Sequence, residues 1–155
     1  MKTLIIDDVK QARKALHHDI IDYCEDLQII GEAGSMAEAI SAIEDLKPEL
    51  IFLDIELGDG TGFDVLSKLS FQPKVIFTTA YDEYAIKAFK VGAIDYLLKP
   101  VDDEELVKAV ERASEVSVSA MEVVNETRKE EAIKHFTFSK DLGEKEGVEK
   151  LDKIQ

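Results

Sequence analysis

The sequence predicts a doubly wound α/β domain, a five-stranded parallel sheet flanked by five helices, on three observations. Short apolar runs of strand length alternate with segments whose apolar residues recur at helical spacing, the pattern of right-handed βαβ units. The central run, Leu50-Ile51-Phe52-Leu53-Asp54-Ile55-Glu56, begins without any polar alternation, as a strand covered by helices on both faces requires. Charged and hydroxyl residues fall repeatedly where such a run ends: Asp7-Asp8, Asp54, Thr79 and Lys99.

Each element follows from local pattern. Thr3-Leu4-Ile5-Ile6 is a short buried strand leading straight into Asp7-Asp8. Val9, Leu16, Ile20, Tyr23 and Cys24 then recur at helical spacing and give a first helix one apolar face. Leu27 to Glu32 reads as the second strand. Ser35 and Glu38 form a capping-box pair opening a second helix that turns Ala39, Ile40, Ile43 and Leu46 inward. Lys47-Pro48 closes it, since a residue before proline is disfavoured in helical geometry. After the central strand, the loop from Gly58 to Gly62 leads into a short third helix marked by Phe63, Leu66 and Leu69. Lys74 to Thr79 is the fourth strand. Asp82 is the expected cap of a fourth helix that buries Ala85, Ile86, Phe89 and Val91, and Gly92 suits a left-handed C-terminal cap. Ile94 to Leu98 is the fifth strand, ending at Lys99-Pro100. A last helix starts near Asp102 or Asp103, with Leu106, Val107, Val110 and Ala113 inward.

These elements occupy residues 1–115. Residues 116–155 are assigned to a helical extension of the last helix, mixed and charged as far as Ile133, followed by a linker holding Phe136, Phe138, Gly143 and Gly147.

Composition narrows the function classes. A chain of 155 residues accommodates one well-cored domain and little more, and 45% hydrophobic with 34% charged residues is ordinary for a soluble protein. No apolar run approaches the roughly 20 residues that span a bilayer, so no membrane role is expected. The start, Met1-Lys2-Thr3 and a short apolar run, does not resemble a signal peptide, and Cys24 is the single cysteine. A reducing, cytoplasmic location is the expectation. With 33 acidic against 19 basic residues and a net charge of −14, the chain repels phosphate backbones, which argues against direct nucleic-acid binding.

In open α/β sheets ligands bind at the carboxyl ends of the strands. Those ends carry Asp7 and Asp8, Asp54, Thr79 and Lys99. Singly, each has an ordinary explanation: Asp8 as a helix cap, Asp54 as a turn acid, Thr79 satisfying backbone, Lys99 as a solvated loop lysine. Together they point elsewhere, because three adjacent carboxylates repel unless a divalent cation or a lysine neutralises them. Carboxylate oxygens suit Mg²⁺, so a magnesium site with Lys99 alongside is inferred. An aspartate beside a metal, a hydroxyl and a lysine is equipped to act as nucleophile in phosphoryl transfer and form an aspartyl phosphate.

Asp7-Asp8, Leu53-Asp54-Ile55, Thr79-Ala80 and Lys99-Pro100, in this order on successive strand ends, resemble the receiver domain of two-component response regulators. The resemblance implies the strand order 2-1-3-4-5 found in a chemotaxis member of that family. It implies that Asp54 accepts a phosphoryl group from a sensor histidine kinase, and that the domain catalyses only its own phosphorylation and dephosphorylation. Asp8 and Asp54 would ligate Mg²⁺ directly, Glu56 would contribute its backbone carbonyl, and Asp7 would act through water. Thr79 and Lys99 would bind phosphoryl oxygens. Tyr96, three residues before Lys99, matches the family's switch aromatic and is expected to rotate inward on phosphorylation. The family's usual proline in the loop after the phosphoacceptor is missing, and Leu57-Gly58-Asp59-Gly60 stands there instead.

Asp59-Gly60-Thr61-Gly62-Phe63, Thr79-Ala80-Tyr81 through Tyr84-Ala85, and Asp95 through Val101 resemble more narrowly the LytR/AlgR group. In that group a LytTR-type DNA-binding domain follows the receiver, and Lys150 to Gln155 is similar to the segment just before it. The implied partners are the kinase, a second copy on phosphorylation, and DNA only through an output domain that this chain does not include. Three rivals compete. A Rossmann dehydrogenase needs a glycine fingerprint that Asp7-Asp8-Val9-Lys10 is not. A haloacid-dehalogenase-like phosphatase carries its nucleophile in an Asp-x-Asp motif on the first strand, whereas Asp7 and Asp8 are adjacent. A phosphorylation-independent interaction module would have no use for the full acid, hydroxyl and lysine set.

Overall fold

The structure, a computed structural model, describes residues 1–116. Strands β1 (Lys2–Ile6), β2 (Gln28–Ala33), β3 (Leu50–Leu53), β4 (Lys74–Thr79) and β5 (Asp95–Leu98) form one parallel sheet in the order β2-β1-β3-β4-β5. Helices α1 (Lys10–Tyr23), α2 (Met36–Leu46), α3 (Gly62–Ser67), α4 (Ala85–Lys90) and α5 (Asp103–Glu115) cross between them. The doubly wound fold and its strand order are as expected.

The unbroken apolar run of β3 is explained by its two coats. Successive side chains of a strand point to opposite faces. Ile51 and Leu53 join Leu4, Ile6 and Phe77 in a core beneath α2, α3 and α4. Leu50 and Phe52 join Ile5, Ile76 and Leu97 in a second core beneath α1 and α5. All four β3 residues are fully buried. Register then fixes the functional rim: Ile6 pairs with Leu53, Leu53 with Phe77, and Thr79 with Leu98.

Several helix details differ from expectation. The apolar face of α1 is Leu16, Ile20 and the C-cap Cys24; Tyr23, one residue before Cys24, is turned about 100° from it and is half exposed, and Val9 is half exposed because it sits at the helix end, beyond the turns that pack on the sheet. Leu46 and Val91, the last residue of α2 and the C-cap of α4, are exposed for the same reason. Ser35 caps α2 by accepting from Glu38 N at 3.1 Å, but the Glu38 carboxylate returns to Gly34 N and not to Ser35. The reciprocal box occurs at Thr61 and Asp64 at the start of α3, with Asp in the position where Glu or Gln is the usual signal. Asp82 does not cap α4. A turn at Glu83 and Tyr84 delays the helix to Ala85, and Tyr84 is the N-cap. Gly92 has the left-handed backbone expected after α4, with φ 88°. Asp102 caps α5 by accepting from Glu104 N and Glu105 N. Val116, the C-cap of α5, is extended, and the helical extension and linker expected beyond it lie outside the described residues.

Glu44 of α2 ties that helix to the α3–β4 loop. It accepts from Ser70 Oγ at 2.6 Å and Ser70 N at 2.7 Å, and these bonds hold its carboxyl down at about 2, below the ordinary 4.5. A depressed folded-state pKa means that the contact's contribution is fully present above the unfolded value and is lost as pH falls through the folded one. Ser70→Ala is expected to move the Glu44 titration, followed by carboxyl NMR, up toward 4.5. An unchanged midpoint would show that the bond to the Ser70 hydroxyl does not hold it down.

Candidate functional site

Three side chains reach the carboxyl rim because the sheet's hydrogen bonding runs one residue past the strands. Asp7 follows β1 and donates its N–H to Ala33 O at 3.1 Å. Asp54 follows β3 and donates to Ile6 O at 2.9 Å; Lys99 follows β5 and donates to Thr79 O at 2.8 Å. Their side chains then meet. Lys99 Nζ lies 2.6 Å from Asp7 Oδ2 and 3.0 Å from Asp54 Oδ2. The second carboxylate oxygens are held by local backbone, Asp7 Oδ1 by Val9 N at 2.9 Å and Asp54 Oδ1 by Ile55 N at 2.7 Å. Asp8 is not the cap of α1. Val9 occupies that position without a side-chain bond, and exposed Asp8 completes a cluster in which oxygens of Asp7, Asp8 and Asp54 lie within 4.8 Å of one another.

The electrostatics of this cluster are unbalanced. Asp7 and Asp54 are only 3% and 5% exposed. Burial pushes the Asp54 carboxyl above its ordinary value; the bond to Lys99 and its charge, with the Ile55 N–H, oppose this, and Asp7 reinforces it. Burial alone would lower the Lys99 ammonium, but its bonds to Asp7 and Asp54 and their charges outweigh this and hold it above its ordinary range. Lys99 is therefore charged, and one ammonium faces three carboxylates. The uncompensated charge and the all-oxygen donor set fit a hard divalent cation of the Mg²⁺ type, and not a soft metal, which favours sulfur or imidazole.

Thr79 and Tyr96 sit to one side of this cluster. Thr79 is fully buried, and its Oγ1 accepts from Tyr81 N at 3.3 Å. The Tyr96 hydroxyl donates to the Tyr81 carbonyl, and its ring lies 6.2 Å from that of Phe77. Burial pushes the Tyr96 phenol up. The expectation of a ring that must still rotate inward does not describe this state: Tyr96 is 3% exposed, already packed inward. The reason is physical, since Phe77 packs beside the ring and the Tyr81 carbonyl satisfies its hydroxyl.

Glu56 lies two residues beyond Asp54, with its side chain exposed and its backbone bridged to Thr61. Leu57 is buried, and Gly58 adopts φ 80°, a conformation closed to proline. Two contributors escaped the sequence reading. Tyr81 joins Thr79 to Tyr96 through its own backbone. Arg13 of α1 donates from one guanidinium nitrogen to Asp7 O at 2.7 Å and pairs with Glu32 at 3.3 Å. A positive side chain about one turn into the helix after Asp7 was the available signal for it.

Comparison with known proteins agrees with this geometry. Residues 3–111 match the response regulator receiver domain. The chain is 37% identical over 131 residues to the sensory transduction protein LytT of Bacillus anthracis, covering 83% of this chain and 53% of that protein. It is 44% identical over 117 residues to LytT of Enterococcus faecalis, covering 74% and 48%. The chain thus spans about half the length of these curated relatives. Among solved structures, the response regulatory domain of mrkE from Klebsiella pneumoniae superposes with a TM-score of 0.67 at 26% identity, over 79% of this chain and 98% of that one. The CheX–CheY complex with BeF3 and Mg from Borrelia burgdorferi, at 22% identity and a TM-score of 0.67 over 76% and 90% of the two chains, shares the fold. On the match across residues 3–111 and the identity to LytT, the chain belongs to the response regulator receiver family, in its LytT-like branch.

Proposed function

We propose that Asp54 accepts a phosphoryl group from a sensor histidine kinase in a Mg²⁺-dependent reaction, and that the domain signals by conformational change and pairing of two copies. The observation that carries this is the single ammonium of Lys99 bridging Asp7 and Asp54 within a three-carboxylate cluster. An Asp54 carboxylate oxygen attacks phosphorus. The O–P bond forms as the P–N bond of a phosphohistidine breaks, and its electron pair returns to the imidazole. Lys99 stays beside the transferred group and offsets charge on its oxygens, and the Thr79 hydroxyl donates to one of them. Asp8, Asp54 and the Glu56 carbonyl would hold Mg²⁺, with Asp7 acting through water, and the ion would supply the further positive charge that phosphoryl transfer needs.

The output follows from the Thr79–Tyr81–Tyr96 chain of bonds. Drawing Thr79 toward a new dianion breaks its bond to Tyr81 N, shifts Tyr81, and alters the carbonyl that holds Tyr96. The surface of α4, β5 and α5 changes with it, favouring a dimer. Residues 1–115 are the receiver, and residues 116–155 are the extension and linker toward a LytTR-type output domain, through which alone DNA is bound. Neither a phosphatase nor a phosphorylation-independent module is favoured by any feature of the site.

Intact mass after incubation with acetyl phosphate tests the chemistry: a gain of one phosphoryl that requires Mg²⁺ supports it, and no gain refutes it. Sedimentation with and without beryllofluoride tests the pairing, which an unchanged monomer would contradict. Asp8→Ala is expected to weaken Mg²⁺ affinity by about tenfold or more, since even groups that only orient metal ligands change affinity by that much. Titration showing equal affinity would remove Asp8 from the site.

A further inference from the structure

Asp59 makes contacts that the phosphoacceptor chemistry alone does not require. Its Oδ1 accepts from Met36 N at 2.7 Å and its Oδ2 from Ala37 N at 3.1 Å. Met36 and Ala37 are the first two residues of α2, and Ser35 Oγ satisfies the third N–H, that of Glu38. A carboxylate from a separate loop thus supplies two of the acceptors that the open first turn of α2 needs. These N–H groups hold the Asp59 carboxyl below its ordinary value.

The loop that carries Asp59 is short and closes on itself directly after Asp54. Asp59 N donates to Leu57 O at 2.9 Å, Leu57 N to Gly60 O at 3.0 Å, and Gly62 N to Ile55 O at 2.8 Å. Glu56 bridges Thr61 across its base, and Leu57 is plugged into the core. The tip is Gly58-Asp59-Gly60. Gly58 is left-handed with nothing within 4 Å of the position its Cβ would occupy, and Gly60 packs against the Met36 side chain. Two glycines give such a segment wide conformational freedom in the absence of restraint. No proline narrows it, and the φ of Gly58 excludes one. Among the described residues, the side-chain hydrogen bonds from this tip to the rest of the domain are those of Asp59 to α2.

We propose that Asp59 is a positioning residue of the phosphoryl-transfer site: by fastening the loop to the first turn of α2, it presets the Glu56 backbone carbonyl beside Asp54. The proposal rests on the reading of that carbonyl as a metal ligand. It makes α2 part of the site's framework, through a restraint that takes the place of a stiff loop sequence. Without the anchor, the loop is left to the Leu57 N–H bond to Gly60 O, the Gly62 N–H bond to Ile55 O and the Glu56–Thr61 bridge, which open more often, and each opening lets the Glu56 carbonyl leave its place.

The experiment compares Asp59→Ala, Asp59→Asn and Ser35→Ala in the full chain, with Mg²⁺ titration and amide hydrogen exchange in the absence of metal. Ser35→Ala removes a cap from the same helix without touching the loop, and so reports what fraying of α2 does by itself. Asp59→Ala is expected to weaken Mg²⁺ binding several-fold and to speed exchange at the Leu57 and Gly62 amides. Asp59→Asn, which keeps acceptor capacity, should recover part of both, and Ser35→Ala should leave both as in the parent. Exchange in Asp59→Ala that matches the parent overturns the proposal, as does a loss of affinity equal to that in Ser35→Ala. A parent that binds no Mg²⁺ overturns the metal reading instead, and the exchange data still decide whether Asp59 holds the loop.

Discussion

Asp54→Asn abolishes the phosphoryl gain and leaves the domain folded at least as stably as the parent. Asparagine has the same shape: its amide oxygen can still accept the Ile55 N–H that Asp54 Oδ1 receives at 2.7 Å, its NH2 group then replaces the oxygen that accepted from Lys99, and Lys99 moves onto Asp7. Burial already works against the ionised carboxylate at this position, so removing its charge relieves a desolvated group while Lys99 keeps its contact to Asp7. What disappears is the proposed nucleophile. Asp8 sits on the exposed side, where the cluster needs its charge for the cation. Intact mass should show no added phosphoryl under conditions that load the parent, and thermal unfolding should show an equal or higher midpoint. A retained gain would assign the acceptor to another acid.

Gly62→Ala destabilises the domain by about 1–3 kcal/mol, the range for forcing extra volume into a packed site. A Cβ on Gly62 would stand 2.5 Å from the Asp54 carbonyl oxygen, 3.0 Å from Leu53 Cγ and 3.2 Å from Phe77 Cε1. The nearest of these is main chain at the end of β3 and the others belong to the core, so no flexible side-chain tip can give way. Relief comes only if α3 moves off the sheet, which pulls Gly62 N from Ile55 O and disturbs the peptide beside Asp54. For a domain of this size the unfolding midpoint should fall by about 4 °C for each kcal/mol. Gly34→Ala is the contrast, since its added carbon meets the movable guanidinium of Arg13 at 3.0 Å. Equal midpoints for the two variants would mean that the approach of α3 to Asp54 is looser than the structure shows.

The sequence was most legible where burial is total and periodicity strict. Leu50 to Leu53 could only be a central strand, and the acids, hydroxyl and lysine at strand ends follow once the sheet is parallel and its ends are counted. Helix ends were less legible. Val9, Leu46 and Val91 fit an apolar stripe by spacing but lie where the helix has left the sheet, and spacing does not say where that happens. Asp82 illustrates a related limit: a good capping residue caps only when the helix begins beside it, and the turn at Glu83 and Tyr84 decides otherwise. Contacts made through main chain were hidden altogether. Tyr81 links Thr79 to Tyr96 by its N–H and carbonyl, which every residue carries. Asp59 reads as a turn residue in Gly58-Asp59-Gly60, and its bonds to Met36 and Ala37 span more than twenty residues that only the folded chain brings together.

The proposed chemistry centres on one oxygen nucleophile, and its position can be read directly. Reducing the phosphorylated chain with borohydride cleaves an aspartyl phosphate and converts that aspartate to homoserine, which peptide mass mapping locates. Homoserine at position 54, formed only in chain loaded in the presence of Mg²⁺, is the predicted result. Homoserine at Asp7, Asp8 or Asp59, with Asp54 intact, would contradict the account.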